Sequence, residues 1–182
     1  SALPGEGATT VSVHLVQAAA AMERRVLIID GQFRRGGTRM SSLLGIKPAP
    51  GLSDYINHRA SLSDITQRLS WESNLFAISS GTEVLDPTRL LSSHRMKDLM
   101  TRMEKTFDLV VYTMPPLMGL ADVGLVASNT NGVLLVTSLG RRSIGDALNR
   151  TLERMQVAQV PVVGLVVNRV KNYAVDFYAR SG

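Results

Sequence analysis

The stretch that decides the fold is the loop Ala2-Leu-Pro-Gly-Glu-Gly-Ala-Thr-Thr10, which stands directly before a segment with helical spacing. Its glycines let backbone N–H groups curl around an anion, and the amino end of the following helix adds a favourable dipole. The phosphate-loop pattern Gly-x4-Gly-Lys-Ser/Thr needs the lysine to neutralise phosphate and the hydroxyl to bind Mg²⁺. Gly7 and Thr9 fit this pattern, but Ala2 occupies the first position and Ala8 the lysine position. The loop therefore predicts an anion cradle without its main positive charge.

The rest of the chain alternates short apolar runs with segments of helical spacing. The runs that predict buried strands are 26–29, 75–78, 109–112, 133–136 and 162–167. Helical spacing covers 9–23, 87–105, 122–128 and 143–156, with two short helices predicted at 53–56 and 61–65. This alternation is typical of an α/β fold with a mostly parallel sheet and helices on both faces. We predict one domain over 1–170 and a carboxyl-terminal tail over 171–182.

No strand pattern stands ahead of the loop, although loops of this kind normally follow a central strand. The chain opens directly with Ser1 and the glycine-containing segment. We therefore expect that the strand before the loop is missing from these 182 residues.

Composition narrows the classes of function. Hydrophobic residues make up 45% and charged residues 19% of 182 residues, which fits a globular domain. The absence of cysteine excludes disulfides and thiolate metal sites. No apolar run reaches the 18 or so residues that a membrane span needs. The net charge of +5 fits nucleotides, anionic lipids or an acidic partner equally well, and aromatics at 5% argue against a nucleic-acid partner.

Several further motifs, in this order along the chain, carry a family resemblance. They are Pro4-Gly-Glu-Gly7, Asp30 with Arg34-Arg35, Gly51-Leu-Ser-Asp54, Asp86-Pro-Thr-Arg-Leu-Leu-Ser-Ser93 followed by Arg95-Met96, Pro115-Pro116 with Asp122, and Asn168. Together they resemble the bacterial tyrosine kinases, or BY-kinases, which are P-loop proteins related to the MinD and ParA ATPases. MinD-type proteins usually lack the 86–96 pattern, which favours the kinase branch. The resemblance implies a P-loop NTPase-like fold.

Three positions depart from the family pattern, and each departure removes charge from the reaction centre. Ala8 stands where relatives have lysine, while Gln32 and Thr113 stand where relatives have aspartate. Phosphoryl transfer depends almost wholly on positioning and electrostatic stabilisation. We therefore expect no intact catalytic residue and an inactive relative of an ATP-dependent protein tyrosine kinase.

Other site residues of the family survive. By resemblance, the candidates for contact with a nucleotide are Gly5, Gly7, Thr9, Thr10, Asp30 and Asn168, of which Thr9 and Asp30 are also candidates for Mg²⁺. Tyr173 and Tyr178 lie where relatives carry phosphorylated tyrosines, although two tyrosines do not form a cluster. The expected cofactor is either none or weakly bound ATP or ADP with Mg²⁺.

Three functions remain open at this point. The first is a pseudo-kinase domain with a regulatory or scaffold role in exopolysaccharide biosynthesis and export. The resemblance then implies a membrane polysaccharide co-polymerase as partner, separate or fused, a homo-oligomer, and a cytoplasmic location at the inner face of the plasma membrane. The second is an active tyrosine autokinase with a non-standard site. The third is a positioning ATPase like MinD or ParA.

Overall fold

The computed structural model of the chain describes residue 1 and residues 3–33, 38–116, 120–138 and 144–170. The helices within these ranges are α1 (Ala8–Ala21), α2 (Thr38–Leu44), α3 (Leu52–Ile56), α4 (Leu62–Ile65), α5 (Pro87–Leu91), α6 (His94–Thr106), α7 (Leu120–Ala127) and α8 (Ile144–Val157). The strands are β1 (Val26–Asp30), β2 (Thr66–Arg68), β3 (Leu75–Ile78), β4 (Leu109–Thr113), β5 (Val133–Ser138) and β6 (Val162–Asn168). None of the helices in the described ranges combines the length and apolarity that a bilayer crossing requires.

The strands form a mostly parallel arrangement centred on β1. The larger sheet has the order β2-β3-β1-β4, and β5 pairs with β6 separately. β1 runs parallel to β3 and β4, and its register sets Asp30 opposite Thr113. Because parallel strands end at the same edge of a sheet, residues that follow β1 and β4 meet at one place.

Helices cover both faces of the larger sheet, as the alternation predicts. Val26 and Ile28 of β1 pack with α1, whereas Leu27 and Ile29 pack on the opposite face with α6. β1 is thus buried on both sides, which is why its sequence is an uninterrupted apolar run.

Three local features differ from the predicted elements, the first being α2 (Thr38–Leu44), a helix that none of the predicted segments covers. The single helix expected over 87–105 is two helices, because the Ser93 hydroxyl accepts a hydrogen bond from the Met96 backbone N–H and starts a new helix. The additional strand β2, Thr-Gln-Arg, has no apolar signal and exists through antiparallel pairing with β3. The predicted tail over 171–182 lies outside the described residues.

Candidate nucleotide site

The glycine loop has the backbone shape of an anion cradle. Gly5 and Gly7 adopt positive φ angles of 83° and 90°, a region that favours glycine. α1 begins at Ala8, with Gly7 as its amino-terminal cap. A side chain on Gly7 would also collide with the Asn168 side-chain amide. The two glycines are therefore required by the backbone path and by close packing.

Glu6 fixes this loop to the end of β5, a role that the sequence reasoning missed. Its side chain is 3% exposed. Oε1 accepts hydrogen bonds from the Thr137 hydroxyl at 3.0 Å and from the Ser138 N–H at 3.4 Å. Oε2 accepts from the Leu3 N–H at 2.8 Å. The only available signal was an acidic residue inside an otherwise small and neutral loop.

Asn168, at the end of β6, is joined to the same loop. Its Nδ2 donates to the Glu6 carbonyl oxygen at 2.9 Å. The resemblance gave Asn168 a place near a nucleotide base, whereas the amide here contacts the loop backbone. Glu6 and Asn168 thus hold the loop against β5 and β6.

The structure brings four of the predicted site residues into one chain of hydrogen bonds. Gln32 Nε2 donates to the Thr9 hydroxyl at 3.0 Å, and the Gln32 N–H donates to Asp30 Oδ1 at 3.0 Å. The Thr113 hydroxyl donates to the same Asp30 oxygen at 3.0 Å. We call Thr9, Asp30, Gln32 and Thr113 the Asp30 network. It includes two of the three positions at which this chain departs from its family.

Burial controls the electrostatics of the Asp30 network. Asp30 is 1% exposed. Burial raises the pKa of its carboxyl group to about 6, against the opposing effect of hydrogen bonds from the Gln32 N–H and Thr113. The carboxylate is therefore less acidic than an ordinary aspartate and is surrounded by neutral donors.

These residues lack several of the charged groups that a Mg²⁺–phosphate complex uses. The Thr9 hydroxyl accepts a hydrogen bond from the Gln32 amide, so a metal ion would have to displace this amide to bind the hydroxyl. The network contains a single carboxylate, and Ala8 supplies no positive charge. In the part of the chain that the structure describes, no group of three or more His, Asp or Glu side chains could hold a metal ion.

Two other motifs of the family resemblance, at 51–54 and 86–93, form hydrogen bonds that hold neighbouring loops and helices together. Asp54 accepts hydrogen bonds from the Gly51 N–H at 2.9 Å and from the Thr82 hydroxyl at 2.7 Å. The Thr88 hydroxyl donates to Asp122 Oδ1 at 2.7 Å, which joins the 86–93 motif to α7. Thr10 lies half-buried in the first turn of α1. The motif residues Arg34 and Arg35 and the predicted phosphoacceptors Tyr173 and Tyr178 lie outside the described residues.

Comparison with known proteins places this geometry in a family. The chain matches the CobQ/CobB/MinD/ParA nucleotide binding domain over residues 4–176. It is 32% identical over 181 residues to the putative tyrosine-protein kinase EpsB of Ralstonia solanacearum, covering 98% of this chain and 24% of EpsB. The kinase domain of the Escherichia coli tyrosine kinase ETK superposes with a TM-score of 0.83 at 27% identity, covering 94% of this chain and 67% of that domain.

A more distant structure has the same architecture. MinD of Pyrococcus horikoshii, in complex with Mg-ADP, matches with a TM-score of 0.73 at 19% identity, over 91% of this chain and 66% of MinD. That likeness shows the fold alone; together with the ETK kinase domain, it confirms the predicted P-loop NTPase-like α/β class. The chain spans about a quarter of the length of curated relatives such as EpsB. The chain belongs to the CobQ/CobB/MinD/ParA nucleotide-binding domain family and resembles the bacterial tyrosine kinases within it.

Proposed function

We propose that this chain is a catalytically degenerate BY-kinase-like domain, a pseudo-kinase with a regulatory or scaffold role in exopolysaccharide biosynthesis and export. It keeps the fold of the tyrosine kinases and has little or no phosphoryl transfer. The observation that carries the proposal is the Asp30 network, in which Gln32 and Thr113 satisfy Thr9 and Asp30 with neutral hydrogen bonds.

The energetic argument concerns charge. A transferring phosphoryl group needs preorganised positive charge and metal ligands, and the loss of one such group costs about 2.7–4 kcal/mol of transition-state stabilisation. This chain lacks three charged groups of the family's reaction centre, at positions Ala8, Gln32 and Thr113. Groups that act as a unit do not contribute additively. All three losses nevertheless act in the same direction, which supports a domain that works without transfer.

The partner in this proposal is a membrane polysaccharide co-polymerase, either separate or fused, and the domain assembles with copies of itself at the inner face of the membrane. The tyrosine-protein kinase names of the relatives support the kinship with these kinases, and the partner and location are what the resemblance to BY-kinases implies. The net charge of +5 is compatible with an acidic partner or an anionic membrane surface. In this role the domain acts by binding its partner through its surface, without forming a reaction product.

The test is to restore the lost charges. A variant with Ala8→Lys, Gln32→Asp and Thr113→Asp is compared with the unaltered chain for ATP binding by calorimetry and for transfer of labelled γ-phosphate to tyrosine. We expect saturable, Mg²⁺-dependent binding only in the restored variant, because it regains the lysine and the two carboxylates that the family uses.

The control separates a rebuilt site from added charge. Ala18→Lys adds a lysine on an exposed position of α1 and should leave ATP binding unchanged. Because Thr113 is buried beside Asp30, the pair Ala8→Lys and Gln32→Asp is tested as well, in case two adjacent carboxylates prevent folding. Labelled phosphate on tyrosine in the unaltered chain would contradict the proposal and favour an active autokinase.

A further inference from the structure

Gln32 joins two elements that meet at the carboxyl end of the larger sheet. Its side-chain Nε2 donates to the Thr9 hydroxyl at 3.0 Å, and its backbone N–H donates to Asp30 Oδ1 at 3.0 Å. Thr9 lies in the first turn of α1, directly behind the glycine loop, and Asp30 ends β1. A single residue thus connects the amino end of α1 to the end of the central strand.

The backbone on both sides of Gln32 determines where its side chain begins. Before it, the Gly31 N–H donates to the Thr113 carbonyl oxygen at 2.8 Å, which continues the pairing of β1 with β4 by one residue. After it, Phe33 is 2% exposed and packs in the core. Because both neighbours are held, the Gln32 side chain is largely preorganised for its contact with α1.

The surroundings of this contact are closely packed. A side chain on Gly31 would collide with the sulfur atom of Met114. Thr9 is buried and Gln32 is half-buried. A hydrogen bond that is largely shielded from water is electrostatically stronger than one on an open surface. The contact between Gln32 and Thr9 is therefore part of the folded interior and distinct from a mobile surface contact.

The two groups that Gln32 joins are the two that the family resemblance assigns to Mg²⁺. In P-loop proteins a Ser or Thr hydroxyl of the loop and an aspartate hold the ion, which thereby ties the loop to the sheet. Here the Gln32 residue ties Thr9 to Asp30 by hydrogen bonds. A side-chain amide carries two N–H donors and no charge. This connection therefore needs neither a metal ion nor a phosphate group.

We propose that the Gln32 amide is a built-in substitute for the divalent ion, and that it holds α1 and the glycine loop against β1 in one position without any ligand. The inference rests on the proposed function, because it concerns the same degenerate site. It goes further by naming Gln32 as a positioning residue and by excluding a switch of this loop that a metal ion controls. A surface that keeps one shape suits a scaffold.

The test follows hydrogen exchange of the amides at 11–13, which bond to the carbonyl oxygens at 7–9 in the first turn of α1. Exchange is measured without nucleotide, in the absence and presence of millimolar Mg²⁺. Gln32→Met keeps the length of the side chain but has no N–H donor, so exchange should become about fivefold to tenfold faster. The matched control, Gln156→Met, removes an exposed amide on α8 and should leave exchange at 11–13 unchanged.

A second variant, Gln32→Asp, tests whether the amide and the ion are interchangeable. Its exchange at 11–13 should be fast without Mg²⁺ and slow again with Mg²⁺, because two carboxylates and the Thr9 hydroxyl are oxygen ligands for the ion. The unaltered chain should exchange slowly and ignore Mg²⁺.

Three results would overturn the proposal. They are equal exchange in the unaltered chain and Gln32→Met, a Mg²⁺ effect on the unaltered chain, and the absence of a Mg²⁺ effect on Gln32→Asp. These measurements contain no ATP. Their failure is therefore distinct from the appearance of labelled phosphate on tyrosine, which would contradict the proposed function.

Discussion

Asp30 is buried at the end of the central strand, and its carboxyl group therefore makes stability depend on pH. The pKa of Asp30 is about 6 in the folded chain, against an ordinary value of 3.8. The folded state thus holds a proton more tightly than the unfolded chain does. Stability from this group is fully present below about pH 4 and is lost as the pH rises through about 6.

We predict that Asp30→Asn removes this dependence. Between pH 4 and pH 7 the free energy of unfolding of the unaltered chain should fall by about 2–3 kcal/mol relative to the variant, since two pKa units correspond to about 2.7 kcal/mol. Urea denaturation at both pH values measures the difference. Asp98→Asn on the exposed surface of α6 serves as the control. Parallel pH profiles for the unaltered chain and Asp30→Asn would contradict the account.

A second prediction about a single residue concerns Glu6, whose carboxylate anchors the glycine loop. Glu6→Ala leaves the Leu3 N–H, the Ser138 N–H and the Thr137 hydroxyl without their acceptor, at a cost of about 1–3 kcal/mol in stability. Glu6→Gln keeps one acceptor oxygen and should have an intermediate effect. Urea denaturation measures both, with exposed Glu83→Ala as the matched control. The anchoring role fails if Glu6→Ala and Glu83→Ala are equally stable.

Sequence analysis could identify the altered positions Ala8, Gln32 and Thr113, because a motif records residue type at fixed spacing. It could not identify what these residues now bond to. The Thr113–Asp30 contact joins residues 83 apart, and the Glu6–Thr137 contact joins residues 131 apart. Such pairs are set by strand order and register, which no local pattern encodes.

At the scale of elements, the packing of α3 against the end of β3 depends on a glycine. A Cβ on Gly51 would collide with the Gly81 backbone nitrogen and the Ser79 carbonyl oxygen. We predict that Gly51→Ala destabilises the chain by about 1–3 kcal/mol or more, because backbone must move to admit the methyl group.

Gly124 in α7 is the matched control for this substitution. The space beside it is open, so Gly124→Ala should be neutral or should stabilise by about 0.5–1 kcal/mol through helix propensity. Thermal unfolding of the two variants compares them directly. Equal midpoints would mean that the close approach of α3 to β3 is wrong.

The elements themselves were predictable to different degrees. Buried parallel strands such as β1 stand out because both faces are apolar. The break between α5 and α6 could not be predicted because the helical spacing of apolar residues continues across Ser92 and Ser93. The capping hydrogen bond of Ser93, which starts the second helix, is visible only in the structure. β2 carries no apolar signal, since it is a short edge strand whose pairing with β3 defines it.

For the whole molecule, alternating apolar runs and helices were sufficient to predict the α/β class, and the comparisons confirm it. The division of the described strands into two groups follows from tertiary pairing, which local sequence patterns do not encode. The proposed scaffold role rests on the combination of a retained kinase fold with a site that lacks the lysine and two carboxylates of the family.

The most direct test of that claim is titration of the 182-residue chain with ATP, with and without Mg²⁺, followed by calorimetry and thermal unfolding. We predict no saturable heat up to about 1 mM ATP, which corresponds to no more than about 4 kcal/mol of binding energy, and an unfolding midpoint unchanged by Mg²⁺. A saturable, Mg²⁺-dependent heat would contradict the account, as would stabilisation approaching the ~2.7 kcal/mol expected at 100 times the dissociation constant. Either result would show that the Asp30 network opens to a nucleotide.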